Sequence, residues 1–156
     1  MLEEGNSYLV HETKNGLKIF ERLVLDHTPG LFITRTHPDK LKSKLGLKQA
    51  RIFWLSTDKE DPNSTHSANV GIVGQIIDSF LRQEKHAKVV LLDGLEYLVT
   101  NNGFGAVLRW LSDIVDAAAS TGSILLVTVS QRAYTEKELA LLKRNLEEVP
   151  KARTAR

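Results

Sequence analysis

Asp93 and Glu96 stand three residues apart behind the branched apolar run Val89-Val90-Leu91-Leu92. Two carboxylates so close together invite a metal ion. The run reads as a fully buried strand of a parallel sheet that releases Asp93 at its C-terminal end, the edge where open α/β sheets bind ligands. In nucleotide hydrolases an Asp in that place helps hold Mg²⁺. Two carboxylates alone are a thin ligand set, however, and no His/Asp cluster at ligand spacing stands nearby. Asp93 also has a structural use, accepting backbone N–H groups to cap the turn into Leu95–Leu98. No metal is expected.

The other polar residues at predicted strand ends are Thr34, Arg35, His37, Ser56 and Ser130. Arg35 stays protonated and cannot serve as a general base. It has two readings: an anchor for an anionic ligand or partner carboxylate, or an internal ion pair with Asp93 or Glu96. The cost of an uncompensated charge at a sheet edge favours the internal pair. His37 can act as a base, but Pro38 beside it marks a helix start, where a lone histidine caps or packs. The five histidines, 11, 27, 37, 66 and 86, form no ligand motif, and no Gly-x-Ser-x-Gly elbow is present, so Ser56 and Ser130 have no assigned base. No cysteine is available for disulfides, thiol chemistry or Cys-ligated metals.

The elements that must position these groups alternate along the chain. Strands are predicted at Tyr8–Val10, Leu31–Thr34, Arg51–Ser56, Val89–Asp93 and Ile124–Val129. Helical spacing of apolar residues recurs over 17–25, 70–81 and 104–118, and a short helix is predicted from Pro38 to Leu45. Thr135 and Glu138 form a capping box for a last helix predicted to reach Glu148. The segment 57–67 is polar and reads as a loop. This alternation predicts one α/β domain over residues 7–149, a parallel sheet with helices on both faces, and flexible termini at 1–6 and 150–156. Trp54, between Phe53 and Leu55, is predicted to pack rather than to stack on a base. Trp110 stands to one side of the Leu108/Leu111/Val115 stripe and is a candidate interface anchor. The Leu139, Leu142, Leu146 stripe is expected to be core.

At 156 residues, 42% hydrophobic and 26% charged, the composition is that of an ordinary globular domain. Of the net charge of +2, the tail Lys151-Ala-Arg-Thr-Ala-Arg156 contributes three cations, so the body is near neutral and no nucleic-acid partner is expected. A short cationic tail gives only non-specific, salt-sensitive contact. No apolar run reaches membrane-spanning length, and a cytoplasmic protein is the expectation.

The segments Tyr8-Leu9-Val10, Gly30-Leu-Phe-Ile-Thr-Arg-Thr-His-Pro38, Ile52-Phe-Trp-Leu-Ser56 and Leu91-Leu-Asp-Gly-Leu-Glu-Tyr-Leu98, with Asn101-Asn-Gly-Phe104, together resemble the archaeal family called domain of unknown function 835. The resemblance runs from Ser7 to Glu148, and members of that family occur alone or joined to sensory and signal-transduction domains. It implies no activity. More remotely, the order of elements is similar to the RecA/KaiC-like branch of P-loop ATPases. That likeness implies a three-layer fold and a five-stranded sheet of order 3-2-4-5-1, counting strands along the chain. It also implies a phosphate loop after Tyr8–Val10 and a catalytic Glu after Leu31–Thr34. The chain has neither. Its connection His11-Glu-Thr-Lys-Asn-Gly16 holds one glycine and no Gly-Lys-Ser/Thr, and the second strand ends in Thr34-Arg-Thr-His37.

The expectation is therefore a non-catalytic regulatory or signalling module on a degenerate ATPase scaffold, needing no cofactor. Its cleft of Thr34, Arg35, His37, Ser56, Asp93, Glu96 and Ser130 would bind a partner protein or small anionic ligand, with self-association as an option. The alternative is a metal-dependent enzyme acting on a nucleotide or phosphoester through Asp93 and Glu96.

Overall fold

In a computed structural model the described residues are 2–41, 50–57, 67–84 and 86–149. Six parallel strands form one sheet: β1 (Ser7–His11), β2 (Gly30–Thr34), β3 (Arg51–Trp54), β4 (Val89–Leu92), β5 (Ile124–Val129) and β6 (Glu147–Glu148), in the order β3-β2-β4-β5-β1-β6. The predicted order 3-2-4-5-1 is present, with β6 added beyond β1. The helices are α1 (Thr13–Leu25), α2 (Val70–Arg82), α3 (Leu95–Asn102), α4 (Phe104–Ser120) and α5 (Glu136–Leu142). No helix among the described residues is long and apolar enough to cross a membrane.

Alternation along the strands divides the core. Val89 and Leu91 of β4 join Tyr8, Val10, Phe32, Ile124 and Leu126 beneath Phe20 and Val24 of α1. Val90 and Leu92 join Leu9, Ile33, Leu125 and Val127 beneath α2 and α4. Strands apolar on both faces in this way are those a parallel sheet requires between two helical layers. At the sheet's N-terminal edge, Lys88 is 3% exposed. Its ammonium donates to the carbonyls of Leu81, Glu84 and His86 at 3.3, 2.9 and 3.0 Å. A buried cation is thus compensated by one carbonyl from the last turn of α2, its negative pole, and two from the segment that follows it.

Three expectations change. The last helix stops at Leu142 instead of reaching Glu148. Leu142 and Leu146 both enter the core, and Glu147 and Glu148 pair with Tyr8 and Leu9. Val149 N–H then bonds the Leu9 carbonyl at 3.0 Å. Backbone groups of β1 that an edge strand would leave open are satisfied this way. Trp110 is not at a surface: it is 9% exposed and packs against α2, where a Cβ on Gly74 would lie 2.6 Å from its indole nitrogen. Val107, Leu111 and Ile114 flank it at helical spacing, so Trp110 belongs to the buried stripe of α4. The turn after Asp93 is a full eight-residue helix, α3. Of the helix predicted from Pro38, a 3-10 turn spans Pro38–Lys40, while 42–49, like most of the predicted loop (58–66), lies outside the described residues.

Candidate functional site

Strand ends of β1, β2, β4 and β5 meet at the C-terminal edge of the sheet, and Asp93 sits at their centre. Its N–H continues the ladder by donating to the Ile33 carbonyl at 2.8 Å. Its Oδ1 accepts two hydroxyl hydrogen bonds, from Thr13 at the start of α1 and from Thr128 of β5, each 2.6 Å. Bonds of hydroxyls to a carboxylate at this length are strong, charge-assisted ones.

Local backbone explains how Thr13 arrives there. The connection from β1 to α1 is a single residue, Glu12, with φ +71° and ψ +138°. That is a region side-chain-bearing residues rarely adopt, and holding it costs about 1–3 kcal/mol. Residues 13–16, read in the sequence as part of a loop, are already helical. Gly16 does not serve a loop; it lets α1 approach the sheet, because a Cβ there would lie 2.6 Å from Thr128 Cγ2 and 3.1 Å from Leu91 Cδ1. The short turn and the missing side chain bring Thr13, Thr128 and Asp93 together.

Glu96, in the first turn of α3, makes a second knot. Its Oε2 accepts the Tyr134 hydroxyl at 2.6 Å, and the Ser130 backbone also serves it. Burial pushes the Glu96 carboxyl above its ordinary range; these hydrogen bonds offset part of that rise, and the charge of Asp93 adds to it. The Tyr134 phenol is pushed upward by burial and by its bond to Glu96, so it remains the donor. Ser130 contributes main chain to this knot, and its side chain is exposed.

Arg35 belongs elsewhere. Among the described residues it pairs with neither Asp93 nor Glu96, contrary to the favoured expectation. Its Nη1 donates to the Leu55 carbonyl at 2.6 Å, and its guanidinium carbon lies 3.8 Å above the centre of the Tyr97 ring. The stem passes close to Gly94, where a Cβ would come within 3.3 Å of Arg35 Cγ. A carbonyl and an aromatic face thus replace the carboxylate as compensation. His37 caps and packs as expected: its Nδ1 accepts the Asp39 N–H at 3.1 Å, and its ring stands edge-on to Trp54 with centroids 4.7 Å apart. Trp54 donates its indole N–H to the Arg35 carbonyl at 3.2 Å. Trp54 is half-buried here and lies at the rim rather than in the central core.

Two residues of the predicted cleft are buried. Thr34 is 0% exposed, and its Oγ1 accepts the Thr36 N–H at 3.0 Å, closing a local turn. Ser56 is buried, and its backbone N–H bonds the Ser67 carbonyl at 3.3 Å. The structure therefore divides the expected cleft into an Asp93–Glu96 knot and an Arg35–His37 corner. It adds Thr13, Thr128, Tyr134 and Tyr97, which sequence reasoning missed. Thr128 had a signal as the one hydroxyl inside the apolar run Ile124–Val129, and Thr13 as the first hydroxyl after β1. Tyr134 had none, since its partner is 38 residues away.

Among the described residues no group of three or more His, Asp or Glu is placed to hold a metal. Asp93 and Glu96 both turn carboxylate oxygens to protein hydroxyls, those of Thr13 and Thr128 on one and that of Tyr134 on the other. Comparison with curated proteins finds no match for the chain. The family described as "Protein of unknown function (DUF835)" matches it over residues 9–146, from β1 to the turn before β6, and the chain belongs to that family.

Proposed function

We propose that this domain is a non-catalytic regulatory or signalling interaction module, working in the cytoplasm, on a degenerate RecA-like ATPase scaffold. Its strand-end face binds a partner protein or a small anionic ligand. The observation that carries this reading is the one-residue connection at Glu12. A triphosphate cradle needs a loop whose backbone N–H groups wrap around the phosphates, and a strand that passes into a helix through one acidic residue has no such loop, only the first-turn N–H groups of the helix. On this reading Thr13 and Asp93 correspond to the Mg²⁺-associated hydroxyl and carboxylate of a P-loop hydrolase. Here they bind each other directly. The Arg35–Tyr97–His37 corner is accessible at this edge, and Arg and Tyr are among the residue types that dominate binding hot spots.

The test is nucleotide turnover together with thermal midpoints. The expected outcome is no ATP or GTP hydrolysis above buffer with Mg²⁺, and no rise in midpoint with either nucleotide, since a ligand bound only by the folded state must raise it. Metal-dependent turnover that Asp93→Ala abolishes would overturn the proposal. A second reading, a metal-dependent enzyme acting on a nucleotide or phosphoester through Asp93 and Glu96, has one observation in its favour. The carboxyl of Glu96 is shifted toward the neutral form beside a second acid, as a proton-transferring group would be. The same turnover assay decides between them.

A further inference from the structure

Arg35 is a charged group at this edge that is ordered without a counter-ion among the described residues. Resting on the interaction-module reading, we infer that Arg35 is the anchor for a carboxylate on an acidic segment of a partner protein, received at the corner formed by Arg35, Tyr97 and His37. Three observations support the inference. The guanidinium is already fixed, by the Leu55 carbonyl at 2.6 Å, by the Tyr97 ring at 3.8 Å and by the close pass over Gly94. Ordering a long side chain is a cost of association, and here it is met before any partner arrives. A guanidinium has five N–H donors, and the Leu55 carbonyl takes one of them. Arg35 is also exposed, and no carboxylate among the described residues pairs with it. By contrast Arg82 and Lys143 each hold a carboxylate, at 2.9 and 2.8 Å.

The charge at the corner selects the ligand class. His37 spends Nδ1 as an acceptor for the Asp39 N–H, and the Asp39 carboxylate lies 3.7 Å from the same nitrogen. A single fixed guanidinium suits a single added negative charge better than a phosphate dianion. The planar fork of Arg matches a carboxylate in two parallel hydrogen bonds.

The probe is an N-acetylated, C-amidated hexaglutamate peptide, titrated into the full chain at low ionic strength. Nitrogen-15 NMR follows the Arg35 Nε–H and the Trp54 indole N–H. Saturable shifts at both are expected, with affinity at least about tenfold weaker in Arg35→Lys, which keeps the charge but loses the fork. Affinity should be unchanged in Lys14→Gln/Lys18→Gln, which removes two exposed cations of α1 outside this corner. Absence of binding, or equal binding by Arg35→Lys with its thermal midpoint preserved, would overturn the inference. So would phosphate binding more tightly than the peptide at the same two resonances. The chain's own Asp58, Glu60 and Asp61 follow β3 in the sequence. If Asp58→Asn/Glu60→Gln/Asp61→Asn tightens the peptide many-fold, that segment is the occupant and the inference fails. A failure in any of these arms leaves the turnover result, and with it the non-catalytic reading, untouched.

Discussion

The two halves of the strand-end edge both carry charge and use it oppositely. Around Asp93 and Glu96, carboxylate oxygens are met by hydroxyls from Thr13, Thr128 and Tyr134 at 2.6 Å, donated by elements far apart in sequence. Around Arg35 the charge is ordered by a carbonyl and a ring and meets no carboxylate among the described residues. Charge satisfied from within ties α1, β4, β5 and α3 together and acts as scaffold. Charge that is held still and left exposed has its ordering cost met without its electrostatic return, which is the arrangement preorganised recognition uses. An acidic residue at a strand end therefore does not by itself locate a reactive site; what its oxygens accept decides that.

Gly94 is where the halves join, and replacing it should have the largest effect. It has φ +134°, and a Cβ would lie 2.8 Å from Leu55 Cδ1 and 3.3 Å from Arg35 Cγ. Backbone strain and overpacking together put Gly94→Ala at about 3 kcal/mol of lost stability by chemical denaturation. Arg35 and Asp93 should be disturbed in the same variant. Asp93→Ala comes next, at about 1–2 kcal/mol, because it removes the 2.6 Å acceptor of Thr128, which is 4% exposed, and leaves that hydroxyl only the Leu92 carbonyl at 3.4 Å. Thr13 is exposed and can turn to water, so it adds less. Asp93→Asn keeps an acceptor and should lose less than Asp93→Ala. If the alanine variant is as stable as the wild type, Asp93 is not scaffold, and the contrast between the halves collapses.

The sequence was most legible where one physical pattern acts alone. Buried parallel strands announce themselves as apolar runs, and five are placed that way; their order is implied by the resemblance and not by the runs. β6 was missed because Glu147 and Glu148 carry no strand pattern; their pairing comes from β1 needing a neighbour. Trp110 was misplaced because the stripe was read one residue out of phase, and an indole fills whichever side of a helix has room, here over Gly74. At the site, Asp93, Glu96 and Arg35 were identifiable by residue type and position. Their partners were not, since hydroxyls and carbonyls 20 to 80 residues away leave no local trace.

A smaller effect separates the two carboxylates within their own half. Burial raises the Glu96 carboxyl above its ordinary value of 4.5, so the folded state binds that proton more tightly than the unfolded chain. Stability from this group is fully present below the unfolded value and is lost as pH rises through the folded one. Glu96→Gln should therefore flatten the fall in stability over the window just above pH 4.5, seen as denaturation midpoints across a pH series. Tyr134→Phe removes the hydroxyl that favours the ionised form, and should cost about 1 kcal/mol at neutral pH while steepening the same fall. A flat wild-type profile would mean that Glu96 is solvated, and its half of the edge would no longer be closed.

The smallest predicted change in stability is the one that best tests the contrast. Arg35→Lys preserves charge but forfeits the stacked plane over Tyr97, and at an exposed position this is worth about 0.5–1 kcal/mol. The ammonium can still reach the Leu55 carbonyl, so little else should be lost. Denaturation of Arg35→Lys beside Asp93→Ala then compares the halves directly. A group kept for recognition should be nearly dispensable for folding, whereas a group kept as scaffold should not. If Arg35→Lys loses as much stability as Asp93→Ala, the guanidinium is holding β2 and β3 to α3 in the way Asp93 holds β4 to β5 and α1. Its exposure would then be incidental.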